Sequence, residues 1–300
     1  MSAVQRIGLL GFGEVGQMVC AQLLQRSVSL TAFDTQFCEP SSVPSIAVRG
    51  QNRIVECAMA NAAVAECELV ISAVTAEQCV AAAESCIAQM PTNAWYLDLN
   101  SVAPATKQRA ADIITGAGGR YVEAAVMAPI HPLGLAAPTL LGGPHAEAFI
   151  GVAEPLGLTG VRVRSSEYGA ASAAKMCRSV CIKGLEALVT ESLLAAHHYG
   201  VTDDVVASLH GLMPGVDWAA HAQYLVSRSV QHGVRRAEEM REVAATLRAA
   251  SVAPLMTEAT VARQQWAGAQ TDALLESSLA AMLDRLRAGQ HPRTASRSDQ

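Results

Sequence analysis

The sequence is poor in aromatic residues and in charge. Of its 300 residues, 4% are aromatic, 16% are charged and 51% are hydrophobic, which excludes disordered and collagen-like chains. The formal net charge is −5, and the sequence shows no basic face, so nucleic acid is not expected as a partner. These values indicate a compact globular protein.

Long hydrophobic runs and paired cysteines are also missing. No apolar run reaches the roughly 18 residues needed to span a bilayer, and the first residues enter a strand pattern without a signal-peptide pattern. We therefore expect no membrane association and a cytoplasmic location. The 8 cysteines are scattered without a CxxC pair, which favours reduced thiols and predicts no metal site.

Short apolar runs alternate with helical spacing up to about residue 165, after which almost every segment is helical. This order predicts an α/β fold, in which an N-terminal Rossmann domain with a doubly wound sheet is followed by an all-α C-terminal domain. We assign 1–165 to dinucleotide binding, 166–289 to a helical substrate and dimerisation domain, and 290–300 to a mobile tail. Residues 53–65 are predicted to be helical. The predicted strands are 6–10, 29–33, 69–74, 94–99, 121–127, 138–141 and 160–163.

The first strand leads into a glycine turn, Gly11-x-Gly13-x-x-Gly16, that opens a helix. Such glycines permit a tight turn, close approach of a pyrophosphate and close strand–helix packing. Asp34 ends the second strand, where the ribose hydroxyls of a dinucleotide are expected, and an acid there favours NAD over NADP. Arg49 could reverse that preference, so NADP is the alternative. The predicted cofactor-binding residues are Gly11, Phe12, Gly13, Glu14, Val15, Gly16, Asp34, Val74 and Asn100.

A polar motif, Asp98-Leu99-Asn100-Ser101, ends a buried strand at its carboxyl edge. Open sheets of this kind bind ligands at that edge, so Asn100 and Ser101 are candidates for contacts with a nicotinamide ring and a substrate. The alternative is that both side chains merely cap the helix that begins near Pro104. The residues themselves favour neither reading.

Lysine is rare, with three residues against nineteen arginines. Lysine differs from arginine because burial can shift its pKa into a range useful for proton transfer. Lys107 lies in a polar stretch and is expected to be solvated. Lys175 lies in a small, apolar stretch and is the candidate catalytic residue, with Lys183 as its rival. The alternative for Lys175 is a stem that covers apolar surface while its amine reaches water.

Together these motifs resemble the β-hydroxyacid dehydrogenases, the family of 3-hydroxyisobutyrate and 6-phosphogluconate dehydrogenases, and in particular its phosphogluconate-dehydrogenase-like NAD-binding branch. The resemblance rests on the glycine turn, on Asp-Leu-Asn-Ser at 98–101, on Gly142-Gly143 and on the segment 169–175, which ends in Lys175. It implies a Rossmann domain, a helical domain that forms a homodimer, and a cleft between them. It also implies hydride transfer to a nicotinamide, with Lys175 as general acid or base.

The sequence departs from the family at two places. Met127-Ala128-Pro129 replaces the family's Ser-Gly-Gly substrate loop, and Ser179 replaces an asparagine four residues after the lysine. The predicted substrate-binding residues are therefore Ser101, Met127, His131, Arg178 and Ser179, and His221 is a further candidate from the helical domain.

These features predict an NAD-dependent oxidoreductase that acts on a small hydroxy acid or alcohol. Imine reduction on the same fold is an alternative. A second alternative is a dimer that binds NAD without turnover, as a redox sensor or an assembly partner.

Overall fold

The computed structural model describes residues 4–289, apart from the side chain of Ala219. The predicted tail at 290–300 lies outside the described residues. The chain divides into two compact units, of which the first ends at Met176 and the second begins at Cys177. This division falls inside a long helix, eleven residues beyond the end of the last strand at Ser165.

The first unit contains an eight-stranded sheet with the order β3-β2-β1-β4-β5-β6-β7-β8, which confirms the predicted α/β fold. All neighbouring strands are parallel except β6 and β7, which are antiparallel. The strands are β1 (Arg6–Leu10), β2 (Ser29–Phe33), β3 (Ile54–Glu56), β4 (Leu69–Ser72), β5 (Trp95–Asp98), β6 (Arg120–Val126), β7 (Thr139–Gly142) and β8 (Val161–Ser165).

The prediction of one helix over 53–65 was wrong, because this segment contains strand β3 and then a short helix, α3 (Ala60–Val64). Strand β3 pairs with β2 at the edge of the sheet, where Ile54 lies opposite Leu30. Val55 is 60% exposed, as an edge position allows. Three residues are too few to reveal a strand by alternation, so helical spacing in the second half of the segment dominated the prediction.

Helices cover both faces of the sheet, and alternate strand residues supply the two cores. Leu9 and Ile71 belong to one core, with residues of α1, α2 and α7. Leu10 and Val70 belong to the other, with residues of α3, α4 and α5. The helices are α1 (Glu14–Leu23), α2 (Val43–Arg49), α3 (Ala60–Val64), α4 (Cys79–Cys86), α5 (Pro104–Gly116), α6 (Ile130–Leu133), α7 (Ala146–Ala153), α8 (Ala170–Tyr199), α9 (Thr202–Leu212), α10 (Trp218–Ala249), α11 (Leu255–Gly268) and α12 (Leu279–Ala288).

The second unit is helical throughout its described part, as predicted, and its core contains residues of α8, α10 and α12, among them Leu193, Val226 and Leu283. Helices α10 and α11 pack closely, because a Cβ on Gly233 would lie 2.5 Å from the backbone nitrogen of Gly268. No helix in the described part of the chain is both long and apolar enough to cross a membrane.

Candidate functional site

A cavity of about 650 Å³ lies at the carboxyl ends of β1, β2 and β4. Strands β1 and β4 are neighbours, and the chain leaves them in opposite directions across the sheet. Open α/β sheets bind ligands at such a switch point, because the loops after the two strands diverge and leave a crevice. The cavity is lined by Leu10, Gly11, Gly13, Phe33, Asp34, Thr35, Gln36, Pro44, Ala73, Val74, Thr75, Gln78, Ala81, Ala82 and Ser85.

The three glycines of the turn have different surroundings. Gly11 has φ +91°, and a Cβ there would lie 2.5 Å from the carbonyl oxygen of Ala73. A Cβ on Gly16 would overlap the Gly11 carbonyl oxygen. Gly13 is the N-cap of α1, and a Cβ on it would meet nothing within 4 Å, so it faces open space in the cavity. This space, beside the first-turn N–H groups of a helix, fits the pyrophosphate of a dinucleotide.

Asp34 supports the glycine turn from the end of β2. Its Oδ2 accepts a hydrogen bond from the Phe12 N–H at 2.7 Å, and its Oδ1 accepts one from the Gln36 N–H at 2.9 Å. The carboxylate also lines the cavity. It can therefore hold the turn and still present lone pairs to ribose hydroxyls. No arginine or lysine is among the residues that line this cavity.

The other predicted cofactor residues of the turn do not line the cavity. The Phe12 ring is buried and lies 5.9 Å from the Phe37 ring, measured between centroids. Val15 packs against the same core, and Glu14 is exposed in the first turn of α1. Of the predicted set, Gly11, Gly13, Asp34 and Val74 line the cavity.

Sequence reasoning missed one wall of the cavity. Gln78, Ala81, Ala82 and Ser85 lie on it, spaced 3, 1 and 3 residues apart, which is one face of a helical segment. This spacing was visible in the sequence. Small residues on a helix face are equally typical of packing, however, so the pattern did not point to a ligand.

Asn100 lies beneath the cavity, with 3% of its surface exposed. Its Oδ1 accepts a hydrogen bond from the Val74 N–H at 2.7 Å, and its Nδ2 donates to the Ser72 hydroxyl at 3.0 Å. The amide therefore joins the ends of β4 and β5. Asn100 itself does not line the cavity, but its partner Val74 does.

Lys107 is buried, and the expectation that it is solvated was wrong. The side chain is 1% exposed, and its Nζ lies 2.9 Å from Oδ1 of Asp98, which is itself fully buried. Helix α5 begins at Pro104 and turns the face that carries Lys107, Ala110, Ala111 and Ile114 inward. The spacing 3, 4 and 7 from Lys107 was the available signal, but the polar neighbours of the lysine concealed it.

The start of α8 is held by a buried carboxylate. Glu123 on β6 is fully buried, and it accepts hydrogen bonds from the Gly169 N–H at 2.7 Å and from the Ser172 N–H at 2.6 Å. Gly142 leaves the space for it, because a Cβ there would lie 2.5 Å from Glu123 Oε2. An anion at a helix N-terminus interacts favourably with the helix dipole and with unpaired N–H groups. Sequence analysis did not single out Glu123.

We expect Glu123→Gln to lower the free energy of unfolding by about 2 kcal/mol, since hydrogen bonds to a charged group contribute roughly that much and the amide can accept at only one atom. Gly142→Ala should also destabilise the protein by crowding the carboxylate. Urea unfolding measures both variants. Glu147→Gln, at an exposed position of α7, is the control and should change stability by less than about 0.5 kcal/mol. An equally small effect of Glu123→Gln would refute the capping role.

Two of the predicted catalytic and substrate residues, Met127 and Lys175, lie near the start of α8. Met127 packs against a small cluster that includes Ala171 of α8, and Ala174, which precedes Lys175 in the chain, packs against the same cluster. A Cβ on Gly169 would lie 3.1 Å from the Cβ of Pro104, three residues after Ser101. Lys175 is half-buried in the second turn of α8. Met127 and Lys175 therefore lie at the same end of α8, and the start of α5 lies beside it.

The other predicted residues lie elsewhere. His131 is exposed in the irregular segment α6. Arg178 is exposed and Ser179 is buried, both one turn after Lys175 on α8 and in the second unit. His221 lies near the start of α10, with its ring 5.8 Å from that of Trp218.

Lys183 is enclosed in the second unit. It forms an ion pair with Glu239 of α10, and burial lowers the pKa of its ammonium group while the carboxylate partly offsets this effect. A second buried pair, Arg236 with Glu186, lies close by, and burial lowers the pKa of Arg236 to about 10. Lys183, the rival candidate, is therefore held in a buried charge network of the second unit.

Family models match most of the chain. The model described as the NAD binding domain of 6-phosphogluconate dehydrogenase matches residues 6–156. The chain belongs to the β-hydroxyacid dehydrogenase family. Its first unit is an NAD-binding domain, as predicted. A domain of unknown function, DUF1932, matches residues 196–267 in the helical unit. No curated protein matches this chain.

Solved structures of the family share this fold. A conserved hypothetical protein from Sinorhizobium meliloti 1021 is 30% identical over 96% of this chain and 97% of its own, with a TM-score of 0.70. The conserved protein MTH1747, of unknown function and structurally similar to 3-hydroxyacid dehydrogenases, is 29% identical over 96% and 100%, with a TM-score of 0.65.

More distant structures share the fold alone. The 3-hydroxyisobutyrate dehydrogenase of Mycobacterium tuberculosis, solved with L-serine, is 18% identical over 95% of this chain and 99% of its own, with a TM-score of 0.70. An imine reductase of Streptomyces aurantiacus is also 18% identical, over 96% and 100%, with a TM-score of 0.55.

Proposed function

We propose that this protein is an NAD-dependent oxidoreductase that transfers hydride between the nicotinamide and a small hydroxy acid or alcohol, with Lys175 as general acid and base. The observation that carries the proposal is the position of Lys175 on α8. Lys175 lies in the second turn of this helix. Glu123 accepts hydrogen bonds at the start of the helix, and Met127 packs beside it. The same unit contains the dinucleotide cavity.

The glycine turn, Asp34 and Val74 would hold the dinucleotide, whose nicotinamide accepts or donates the hydride when bound. In the oxidation direction the substrate loses a hydride from carbon and a proton from its hydroxyl, and a carbonyl forms. The neutral amine of Lys175 takes that proton. In the reduction direction the ammonium returns it to the carbonyl oxygen. Ser101 would orient the hydroxyl, and Arg178 and Ser179, one turn after Lys175, remain proposed substrate contacts.

The test of the reaction class is a screen of hydroxy acids, alcohols, aldehydes and cyclic imines, in which NADH absorbance is followed. We expect turnover with members of the hydroxy-acid or alcohol series and with the corresponding carbonyl compounds. Turnover of imines alone would favour imine reduction, which the shared fold of solved imine reductases makes the second candidate. Binding of NADH without turnover of any compound would favour the sensor or assembly role.

The cavity favours NAD over NADP. A 2′-phosphate beside Asp34 would meet a negative charge, and no cationic side chain lines the cavity. Arg49 bonds to the Pro40 carbonyl at 3.5 Å and is not among the lining residues, so it does not support the NADP alternative.

We expect the native protein to bind NADH more tightly than NADPH. In Asp34→Asn, the dissociation constant for NADPH divided by that for NADH should fall by about tenfold, equivalent to about 1.4 kcal/mol. The side-chain amide of the asparagine keeps one hydrogen-bond acceptor for the glycine turn, but it lacks the negative charge of the carboxylate. Titration calorimetry with both cofactors measures the ratio. Glu39→Gln removes a nearby carboxylate that does not line the cavity and is the control. A ratio unchanged in Asp34→Asn would contradict this assignment.

The proposal includes a homodimer and a cytoplasmic location. Large apolar side chains are exposed on the helical unit, among them Leu255 at 73% and Met256 at 67%. A second copy of the chain could cover such a surface, because closed symmetric pairs are the commonest soluble oligomers.

A further inference from the structure

We propose that Lys107 is a positioning residue for the dinucleotide. Although it does not line the cavity, a continuous set of buried contacts connects its ammonium group to Val74 in the cavity wall and so to the glycine turn. The inference goes beyond the proposed reaction, since it concerns cofactor affinity and requires no turnover.

The first contact is the ion pair with Asp98. Lys107 Nζ lies 2.9 Å from Asp98 Oδ1 and also donates to the Asp98 carbonyl oxygen at 2.8 Å. Oδ2 of the same carboxylate accepts from the Tyr121 hydroxyl at 2.6 Å and from the Cys79 thiol at 3.4 Å. Because Asp98 is fully buried, its charge requires the ammonium partner.

The second contact is a hydrogen bond by which Asp98 fixes the backbone of Asn100. Asp98 Oδ1, the oxygen that pairs with Lys107, accepts the Asn100 N–H at 2.8 Å. This bond turns the backbone after β5 so that the Asn100 amide faces the end of β4. There it accepts the Val74 N–H at 2.7 Å and donates to Ser72.

The third contact reaches the glycine turn. Residues 73 and 74 lie so close to Gly11 that a Cβ there would come within 2.5 Å of the Ala73 oxygen and 3.0 Å of Val74 Cγ1. Gly11 and Val74 both line the cavity. A shift of Val74 would therefore alter both the wall and the neighbouring turn. Small displacements of this kind are costly to binding, because hydrogen-bond donors act over a narrow range of distance.

The test measures NADH affinity of the full chain by calorimetry and by NADH fluorescence. Lys107→Met removes the charge at nearly constant length and leaves Asp98 without its ion pair. We expect its dissociation constant for NADH to rise at least tenfold. Asp98→Asn combined with Lys107→Met removes both charges, and the amide oxygen introduced at position 98 can still accept the Asn100 N–H. We expect this double variant to recover most of the lost affinity.

Lys183→Met is the matched control. It breaks the other buried lysine–carboxylate pair, which lies in the second unit, so it should lower thermal stability but keep the NADH dissociation constant within twofold of native. A folded Lys107→Met variant with native NADH affinity would overturn the proposal. Equal weakening by Lys107→Met and Lys183→Met would do the same, because it would show a general effect of lost stability.

A second pair of variants tests the hydrogen bond between Asn100 and Val74 if Lys107→Met does not fold. Asn100→Asp keeps an acceptor for the Val74 N–H, whereas Asn100→Leu removes it. We expect Asn100→Leu to bind NADH at least tenfold more weakly than Asn100→Asp, and equal affinities would refute the connection through Val74. Native protein in the same series shows whether NADH binds at all, so failure of this inference is distinguishable from failure of the proposed reaction.

Discussion

Replacing Lys175 by methionine should lower turnover at least about a hundredfold and leave NADH affinity within twofold of native. General acid–base groups contribute roughly 10²–10⁴-fold to rate, and a methionine side chain can neither take a proton from the substrate nor return one. Steady-state kinetics on a compound found in the screen measures kcat, and calorimetry measures NADH binding.

Lys175→Arg separates proton transfer from simple charge. Arginine keeps a positive charge but stays protonated at any pH the protein tolerates, so it cannot take a proton from the substrate. We therefore expect it to be nearly as slow as the methionine variant. Native turnover in Lys175→Met would remove Lys175 from the mechanism, and near-native turnover in Lys175→Arg alone would show that only charge is needed.

A substitution at Gly13 should weaken NADH binding, whereas a substitution at Gly16 should lower stability, although the two glycines belong to the same turn. Gly13→Val should weaken NADH binding on the order of a hundredfold, equivalent to about 2.8 kcal/mol, with little change in stability. Its φ of −72° and ψ of −161° suit any residue, and its Cβ would enter open space where the pyrophosphate is expected. The side chain would thus block the ligand without disturbing the fold.

Gly16→Ala should instead destabilise the protein, since its Cβ would overlap the Gly11 carbonyl oxygen and push α1 away from β1. Thermal unfolding and NADH titration of both variants test the contrast. Native NADH affinity in Gly13→Val would place the phosphates elsewhere. A Gly16→Ala variant as stable as the native protein would show that the turn can relax.

The dinucleotide turn could be predicted because its parts are adjacent in the chain. Strand β1, the three glycines and α1 follow one another within residues 6–23, and each has a local signature. Asp34 was predictable for a similar reason, since it directly follows β2. The bounds of β1 and β2 agree with the prediction to the residue.

The roles of Lys107 and Glu123 could not be predicted in the same way. Both are charged side chains in segments that bury them, and the local pattern does not show the burial. Lys107 pairs with Asp98, nine residues earlier, across the turn between β5 and α5. Glu123 bonds to N–H groups 46 and 49 residues further along the chain. A lone acid in an apolar strand is a signal of burial with a partner, but it does not identify that partner.

Chain order and side-chain periodicity were therefore sufficient to predict the Rossmann sheet apart from β3, the NAD turn and the helical second half. These features depend on contacts between neighbours and on repeating patterns. Tertiary structure alone decided which lysine is buried beneath the cavity, which carboxylate holds the start of α8, and how Asn100 connects to Val74. Those arrangements depend on which strand ends lie side by side, and the cost of burying a charge is offset only once its partner is in place.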